Sequence, residues 1–365
     1  MPDSFPLYPV ERRHLEALSD EVGILQHAIG SRPDPAHGYC TDDVARALQV
    51  DLLHQHVLGW QHVAESASRN LRFLEAAFDP MTGRFRNFRG IDGTWRVEVA
   101  SEDSQGRALL ALGETMSGAS DGAIVGRARM LFERALPLAE GLRARRATAS
   151  AMLAMDAALR ADPTQATMPA YADLATRLMS SFERARVLTW PWPEARVTYE
   201  NALLPRALIA AGSRLASSPM LAIGLRALDW LVAAQTAPAG HFSPVGNGWW
   251  SSGGDKSRFD QQPIEATATL LAAETAFRAT GAVTYRDVME RTYAWFLGGN
   301  DLGVDIAVPS RGASYDGLTR HGVNGNQGAE STLMWLIALE HIRAMRAREP
   351  LAAASGSTLT PMSVG

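Results

Sequence analysis

Six helical segments of one unusual kind recur along the chain, and they constrain its fold more than any other feature. They fall at 42–50, 102–114, 146–159, 200–212, 260–274 and 327–340. Each opens with acids, amides or Arg and continues in Ala, Leu, Gly and Met. A helix that is apolar around most of its circumference must be buried on all sides. The small residues let neighbouring backbones approach closely. Between these segments the spacing predicts amphipathic helices at about 11–29, 63–78, 123–143, 170–186, 219–235 and 285–297, each with Arg and Glu on one face. Buried and half-exposed helices therefore alternate. Their unequal spacing marks a repeat of structure and not of sequence.

Two architectures satisfy such an alternation. One is an all-α (α/α)6 barrel, with two concentric rings of six helices. The other is an open α-solenoid of helical pairs. The loops entering the buried helices are long (79–101, 187–199, 236–259 and 298–326), while the return connections are short. Long loops gathered at one end usually carry function, which favours a closed barrel with the inner N-termini converging on one face. The expected layout is a single domain over 1–349 and a disordered tail at 350–365, where the residues are small and polar.

Composition narrows the function. The chain of 365 residues has a net charge of −4 and a pI near 6.2, with acids and bases mixed throughout. It lacks the basic stripe of a nucleic-acid surface, and no apolar run is long enough to cross a bilayer. The start of the chain has neither the basic nor the apolar region of a signal peptide. Cys40 is the only cysteine, so no internal disulfide or cysteine-based zinc site is expected, and a lone thiol fits a cytoplasmic setting. His27, His37, His241 and His321 lie near loops without metal-ligand spacing, and the glycine-rich stretches at 298–299 and 322–328 follow no predicted strand. Neither a metal nor another cofactor is expected.

The barrel would bring the polar openings together. Asp43, Asp103 and Asp260 are the candidate catalytic carboxylates. Asp42, Glu102, Glu200, Glu265, Asp316 and Glu330 are candidate substrate-binding acids. Tyr199, Asn201, Gln261, Gln262, Asn326 and Gln327 add hydroxyl and amide groups, and Trp190, Trp192, Trp249 and Trp250 lie in the loops above. Carboxylates accept hydrogen bonds from vicinal hydroxyls. A pair of them also supplies the acid and the base or nucleophile that break a glycosidic bond. Aromatic faces suit the C–H faces of sugar rings. A single acid at a helix start is most simply a cap or a partner of the helix dipole, and Thr41 or Asp42 is the expected N-cap of the first buried helix. Six such openings, most with two or three hydrogen-bonding residues, exceed what capping requires. Arg46 and Arg107 are placed to pair with acids one turn away. Lys256 and Arg258 either bind an anionic sugar or pair with neighbouring acids.

The blocks GYCTDDVARAL at 38–48, FDQQPIEA at 259–266 and NQGAEST at 326–332, with the spacing of six hairpins, resemble the six-hairpin glycosidase superfamily. More narrowly, the chain is similar over roughly 10–345 to helical domains found alone or fused behind bacterial glycosyltransferases. The resemblance implies an (α/α)6 barrel whose acids come from the starts of inner helices, and a glycosyltransferase as partner. It carries over no individual catalytic residue. The leading expectation is a glycoside hydrolase acting on an oligosaccharide or polysaccharide fragment. The alternatives are a sugar epimerase or isomerase, which needs a His base, and a non-catalytic glycan-binding domain. The sugar and the oligomeric state stay open.

Overall fold

In the computed structural model, which describes residues 5–96, 101–163, 167–185 and 189–348, the buried helices form a closed inner ring. They are α2 (Thr41–Leu58), α4 (Glu102–Gly118), α6 (Arg145–Ala161), α8 (Leu203–Arg214), α10 (Pro263–Thr280) and α12 (Ala329–Ala347). Each packs on the next, and α12 packs back on α2, so the arrangement is a barrel and not an open solenoid. The outer ring is α1 (Arg13–Leu18), α3 (Ala64–Ala77), α5 (Gly122–Gly141), α7 (Met168–Arg184), α9 (Ser218–Ala234) and α11 (Thr284–Trp295). Among these, α3, α5, α7, α9 and α11 pack on the inner helix that precedes them, and α1 packs on α12. The expected tail at 350–365 lies outside the described residues.

Small residues explain how six inner helices fit one ring. Gly106 and Gly113 on α4 face Ala147 and Ala154 on α6, and a Cβ placed on Gly113 would lie 2.3 Å from the Ala154 carbonyl oxygen. The larger core side chains sit between the rings. Trp335 of α12 stacks on Tyr293 of α11 with centroids 5.6 Å apart.

Three expectations are corrected. The helix predicted at 11–29 stops at Leu18. Asp20 accepts hydrogen bonds from the backbone N–H groups of Val22 and Gly23 at 2.8 and 3.1 Å, and this side-chain turn competes with helix. The chain then enters a hairpin of β1 (Leu25–Ile29) and β2 (Arg32–Cys40), turning at Gly30, whose φ is +59°. The first buried helix is not capped by Thr41 or Asp42. Cys40 takes the cap position with no side-chain hydrogen bond, Thr41 donates its hydroxyl to the Arg86 carbonyl, and Asp42 sits inside the first turn. Finally, α8, α10 and α12 begin later than predicted, at Leu203, Pro263 and Ala329. Glu200, Asp260 and Gln327 therefore belong to loops. Pro263 suits a first helical position, since proline has no N–H to lose.

The entering loops carry short antiparallel ladders that sequence periodicity did not reveal. β3 (Phe78–Asp79) pairs with β4 (Arg84–Phe85), and β5 (Phe88–Arg89) adds a third strand beside β2. β6 (Arg196–Val197) pairs with β7 (Trp250–Ser251), β8 (Ala307–Val308) with β9 (Ala313–Ser314), and β10 (Gly317–Thr319) with β11 (Gly322–Asn324).

Candidate active site

The inner N-termini meet at one end of the barrel around a network of buried ion pairs. Arg46, on α2, donates to Asp43 at 2.8 Å one turn earlier and pairs with Glu330 of α12 at 2.9 Å. Arg107, on α4, donates both terminal nitrogens to Glu200 in the loop before α8, and its Nε lies 3.5 Å from Asp42. Arg146, on α6, binds Glu194, the Thr198 hydroxyl, the Tyr199 carbonyl and Asn201. Three guanidinium groups thus tie all but one of the inner-helix openings into one layer. Glu265 supplies the remaining link, from α10, by accepting from the Asn201 backbone N–H at 3.2 Å and side-chain N–H at 2.9 Å.

A cavity of about 370 Å³ opens beside this layer. Asp42, Asp43 and Arg46 reach it from α2, Glu330 and Ser331 from α12, and Asp316 and Asn324 from the β10–β11 region. Gln26 and His27 of β1, Cys40, Asn87, Phe88, Gln262 and Gly328 complete the wall. Asp316 is oriented by the Gly328 backbone N–H at 2.8 Å and the Ser331 hydroxyl at 2.9 Å.

Burial sets the protonation states. Asp43, only 4% exposed, is pushed up to about 7, with Arg46 opposing that rise and Glu330 adding to it. Asp42 is also raised by burial, against the pull of Arg107 and Arg46, and its Oδ1 has no hydrogen-bond partner. Glu200 goes the other way. Burial favours its neutral form, but the charge and hydrogen bonds of Arg107 outweigh burial and hold it below the usual carboxylate range. Burial raises Glu265 to about 7. His27 is held below the usual histidine range by burial and by His37, whose ring packs edge-on at 4.6 Å.

The candidate residues divide into three groups. Asp42, Asp43, Asp316, Glu330 and Gln262 line the cavity. Asp103 and Asp260 do not. Asp103 is half-buried and accepts the Tyr199 hydroxyl, and Asp260 is solvent-exposed, with a backbone φ of +59°. Another group is engaged within the protein. Glu102 accepts from the N–H groups of Arg143 and Ala144, at the entry to α6. Gln261 bridges Trp295, Asp301 and the Arg258 carbonyl. Asn326 accepts from the Gly30 N–H, and Gln327 is buried, with its carbonyl on His14. Trp190, Trp192 and Trp250 pack around Trp230 of α9, Trp192 being 1% exposed. Trp249 and Tyr199 remain exposed, at 37% each. Arg107 ignores its expected partners at 102–103 in favour of Glu200 and Asp42. Arg258 pairs with Asp301, and Lys256 donates to the carbonyls of Ala234 and Ser243.

Gln26, Asn87 and Phe88 were not singled out from sequence. Gln26 and Phe88 reach the cavity on the β1–β2–β5 sheet and Asn87 from the residue just before β5, and these strands are too short or too irregular to leave a periodic signal. The paired glycines and prolines at 30–38 were the available hint of a hairpin.

No protein-family model matches the chain, and no curated protein matches it by sequence. Solved structures do match. A cellobiose 2-epimerase from Bacillus thermoamylovorans B4167 aligns with a TM-score of 0.69 at 12% identity, covering 91% of this chain and 98% of its own. A D-mannose isomerase aligns with a TM-score of 0.69 at 13% identity, covering 91% and 94%. A GH76 alpha-mannanase from Bacteroides thetaiotaomicron aligns with a TM-score of 0.65 at 8% identity, covering 93% and 96%. The fold is the six-hairpin (α/α)6 barrel. At such identities the likeness establishes architecture, and what the barrel does is argued from its own site. No helix among the described residues is long and apolar enough to cross a membrane, and no described group of His, Cys, Asp and Glu has the arrangement of a metal site.

Proposed function

We propose that the protein is a carbohydrate-active enzyme, a glycoside hydrolase acting on a neutral oligosaccharide or polysaccharide fragment. The observation that carries this reading is the convergence of four carboxylates, Asp42, Asp43, Asp316 and Glu330, on one cavity in which burial keeps Asp43 protonated up to about pH 7. Glycoside hydrolysis needs one protonated and one ionised carboxyl on opposite sides of the scissile bond. Asp43 is the proton donor in this proposal. Its proton goes to the glycosidic oxygen as the C1–O bond breaks, water adds to C1, and an ionised partner takes the proton of that water. Glu330, whose side chain is 41% exposed, and Asp316 are the candidate partners. Asp103 and Asp260 then serve outside the cavity wall, accepting sugar hydroxyls. The names of the structural neighbours, which include two GH76 mannanases, support the substrate class.

Saturation of the cations favours a neutral sugar. Arg46, Arg107, Arg146 and Arg258 each face carboxylates already, so none is free for a uronate or phosphate. A setting beside a glycosyltransferase, in a bacterial cytoplasm, belongs to the same proposal. It rests on the resemblance of the motif blocks and on the lone thiol of Cys40.

A glycan-library screen in H₂¹⁸O, read by mass spectrometry and product NMR, tests the reading. Hydrolysis adds one labelled water across a bond, and Asp43→Asn removes it. Full turnover by Asp43→Asn overturns the assignment of Asp43. A second reading, sugar epimerisation, is favoured by His27, an imidazole on the cavity wall that is neutral at neutral pH and able to act as a base. Product of unchanged mass, with loss of activity in His27→Asn, selects that reading.

A further inference from the structure

Trp249 stands apart from the neighbouring tryptophans. Trp190, Trp192, Trp230 and Trp250 pack on one another, with the Trp230 and Trp250 rings stacked 5.5 Å apart and 9° from parallel. Trp249 is turned away from that cluster and exposed. Its backbone is in the left-handed region, φ +61°, which a bulky residue avoids. The surrounding loop enforces this conformation. The Trp249 N–H donates to the Gly246 carbonyl at 2.9 Å, its carbonyl accepts from the Ser257 N–H at 3.1 Å, and the Asn247 N–H donates to the Asp260 carbonyl at 3.0 Å. Gly246 lies so close to Phe259 that no side chain fits there. A ring needed only for packing would join the cluster beneath; this one is held outward at the cost of an unfavourable backbone.

Two paths connect Trp249 to the cavity. Arg196, whose guanidinium lies 5.8 Å from the Trp249 ring centroid, belongs to the strand that pairs with Trp250–Ser251 and leads directly into Tyr199. The Tyr199 hydroxyl donates to Asp103, an acid that acts on the charge of Asp42. On the other side, Asn247 is bonded to Asp260, two residues before Gln262 on the cavity wall. Of the four non-glycine residues with positive φ among the described residues, Trp249 and Asp260 lie on these paths, and Glu200 directly follows Tyr199.

We infer that Trp249 is a distal sugar-stacking subsite, reached from the cavity past Tyr199 and Asp260, and that the substrate is a glycan chain rather than a free mono- or disaccharide. This inference rests on the carbohydrate reading above. An aromatic face presents a flat apolar surface to the C–H face of one pyranose, and Tyr199 and Asp260 supply hydrogen-bonding groups between it and the cavity.

The test compares the wild type with Trp249→Gly and Trp249→Tyr on neutral gluco- and manno-oligosaccharides from disaccharide to hexasaccharide, by titration calorimetry and kcat/KM. Glycine is at home at positive φ, so Trp249→Gly removes the ring and relaxes the backbone together. Its thermal midpoint is expected to match or exceed that of the wild type. The wild type should favour longer chains, and the glycine variant should lose roughly fivefold to tenfold of that preference. The tyrosine variant, which keeps a smaller ring, should fall between them. Equal chain-length preference in the wild type and the variants overturns the subsite and leaves the carbohydrate reading standing. A wild type that neither binds nor turns over any member of either series overturns both.

Discussion

Arg46 of the first inner helix reaches Glu330 of the last at 2.9 Å while donating to Asp43 on its own helix at 2.8 Å. One side chain therefore closes the ring and orients the carboxyl assigned as proton donor. Removing it leaves Asp43 buried without its charge partner. Arg46→Ala is expected to cost about 3–5 kcal/mol above about pH 7, where an ionised Asp43 loses its buried charge partner, and less below it, where Asp43 already carries its proton. Asp43→Asn is milder for folding, because the amide oxygen still accepts from Arg46. It should lower turnover by about 10²–10⁴-fold, the contribution typical of a general acid. Urea denaturation and steady-state rates of the two variants separate these effects.

The pH dependence has a definite sign. Burial raises the Glu265 carboxyl from 4.5 to about 7 in the folded protein. On acidification the folded chain takes up this proton first, so Glu265 adds stability as pH falls from about 7 to about 4.5 and withdraws it as pH rises again. Relative to Glu265→Gln, the wild type should gain on the order of 3 kcal/mol across that window. Denaturation midpoints measured against pH for both proteins check this, and parallel curves would rule it out. Activity that depends on protonated Asp43 should likewise decline above about pH 7.

Charge selectivity follows from the occupied guanidinium groups. Arg107 is held by Glu200 and Asp42, and Arg46 by Asp43 and Glu330. At the cavity an anionic glycan meets carboxylates and, in Arg46, a guanidinium that already faces two of them. Uronate or phosphorylated analogues should bind at least roughly tenfold more weakly than neutral ones, and added salt should narrow the gap by screening. Competition assays at low and high ionic strength measure both effects. Tighter binding of the anionic analogue at low salt would contradict the assignment.

Two glycines should respond to alanine with opposite signs. At Gly113 the new methyl group meets the Ala154 carbonyl oxygen at 2.3 Å, a backbone atom that cannot move aside. Overpacking of about 1–3 kcal/mol outweighs the helix preference of alanine, which is about 1 kcal/mol at most. Gly126, in α5, has no neighbour within 4 Å of the same position. Gly126→Ala should therefore stabilise by roughly 0.5–1 kcal/mol. Thermal melting of the two single variants decides the matter.

The legibility of the site followed the range of the interactions involved. The Arg46–Asp43 pair lies within one helical turn, and spacing alone suggests it. Arg107 has acids at the same local distance, yet it binds Glu200, which no local rule selects. Asn201 was expected to bind substrate. Its side chain is instead occupied by the nearby Thr198 N–H and by Arg146 and Glu265, which reach it only when α6, α8 and α10 are side by side. The Trp249-Trp250 pair divides similarly, one ring packed inward and the other held out by a backbone conformation that sequence does not display.

By itself the sequence determined the alternation of buried and half-exposed helices and favoured the double ring, whose closure rests on the packing of α12 against α2. The alternation is carried by the period of apolar residues along each segment, which is local. Only the tertiary structure decided which carboxylates share a cavity, which are neutralised by arginine, and which acids stay outside the cavity wall. Those outcomes depend on the angle at which each opening enters the ring, and on loops whose turns and short ladders leave no period. Asp43 was a candidate from sequence, but its role as the proton donor rests on burial in the folded ring, which disfavours its ionised form.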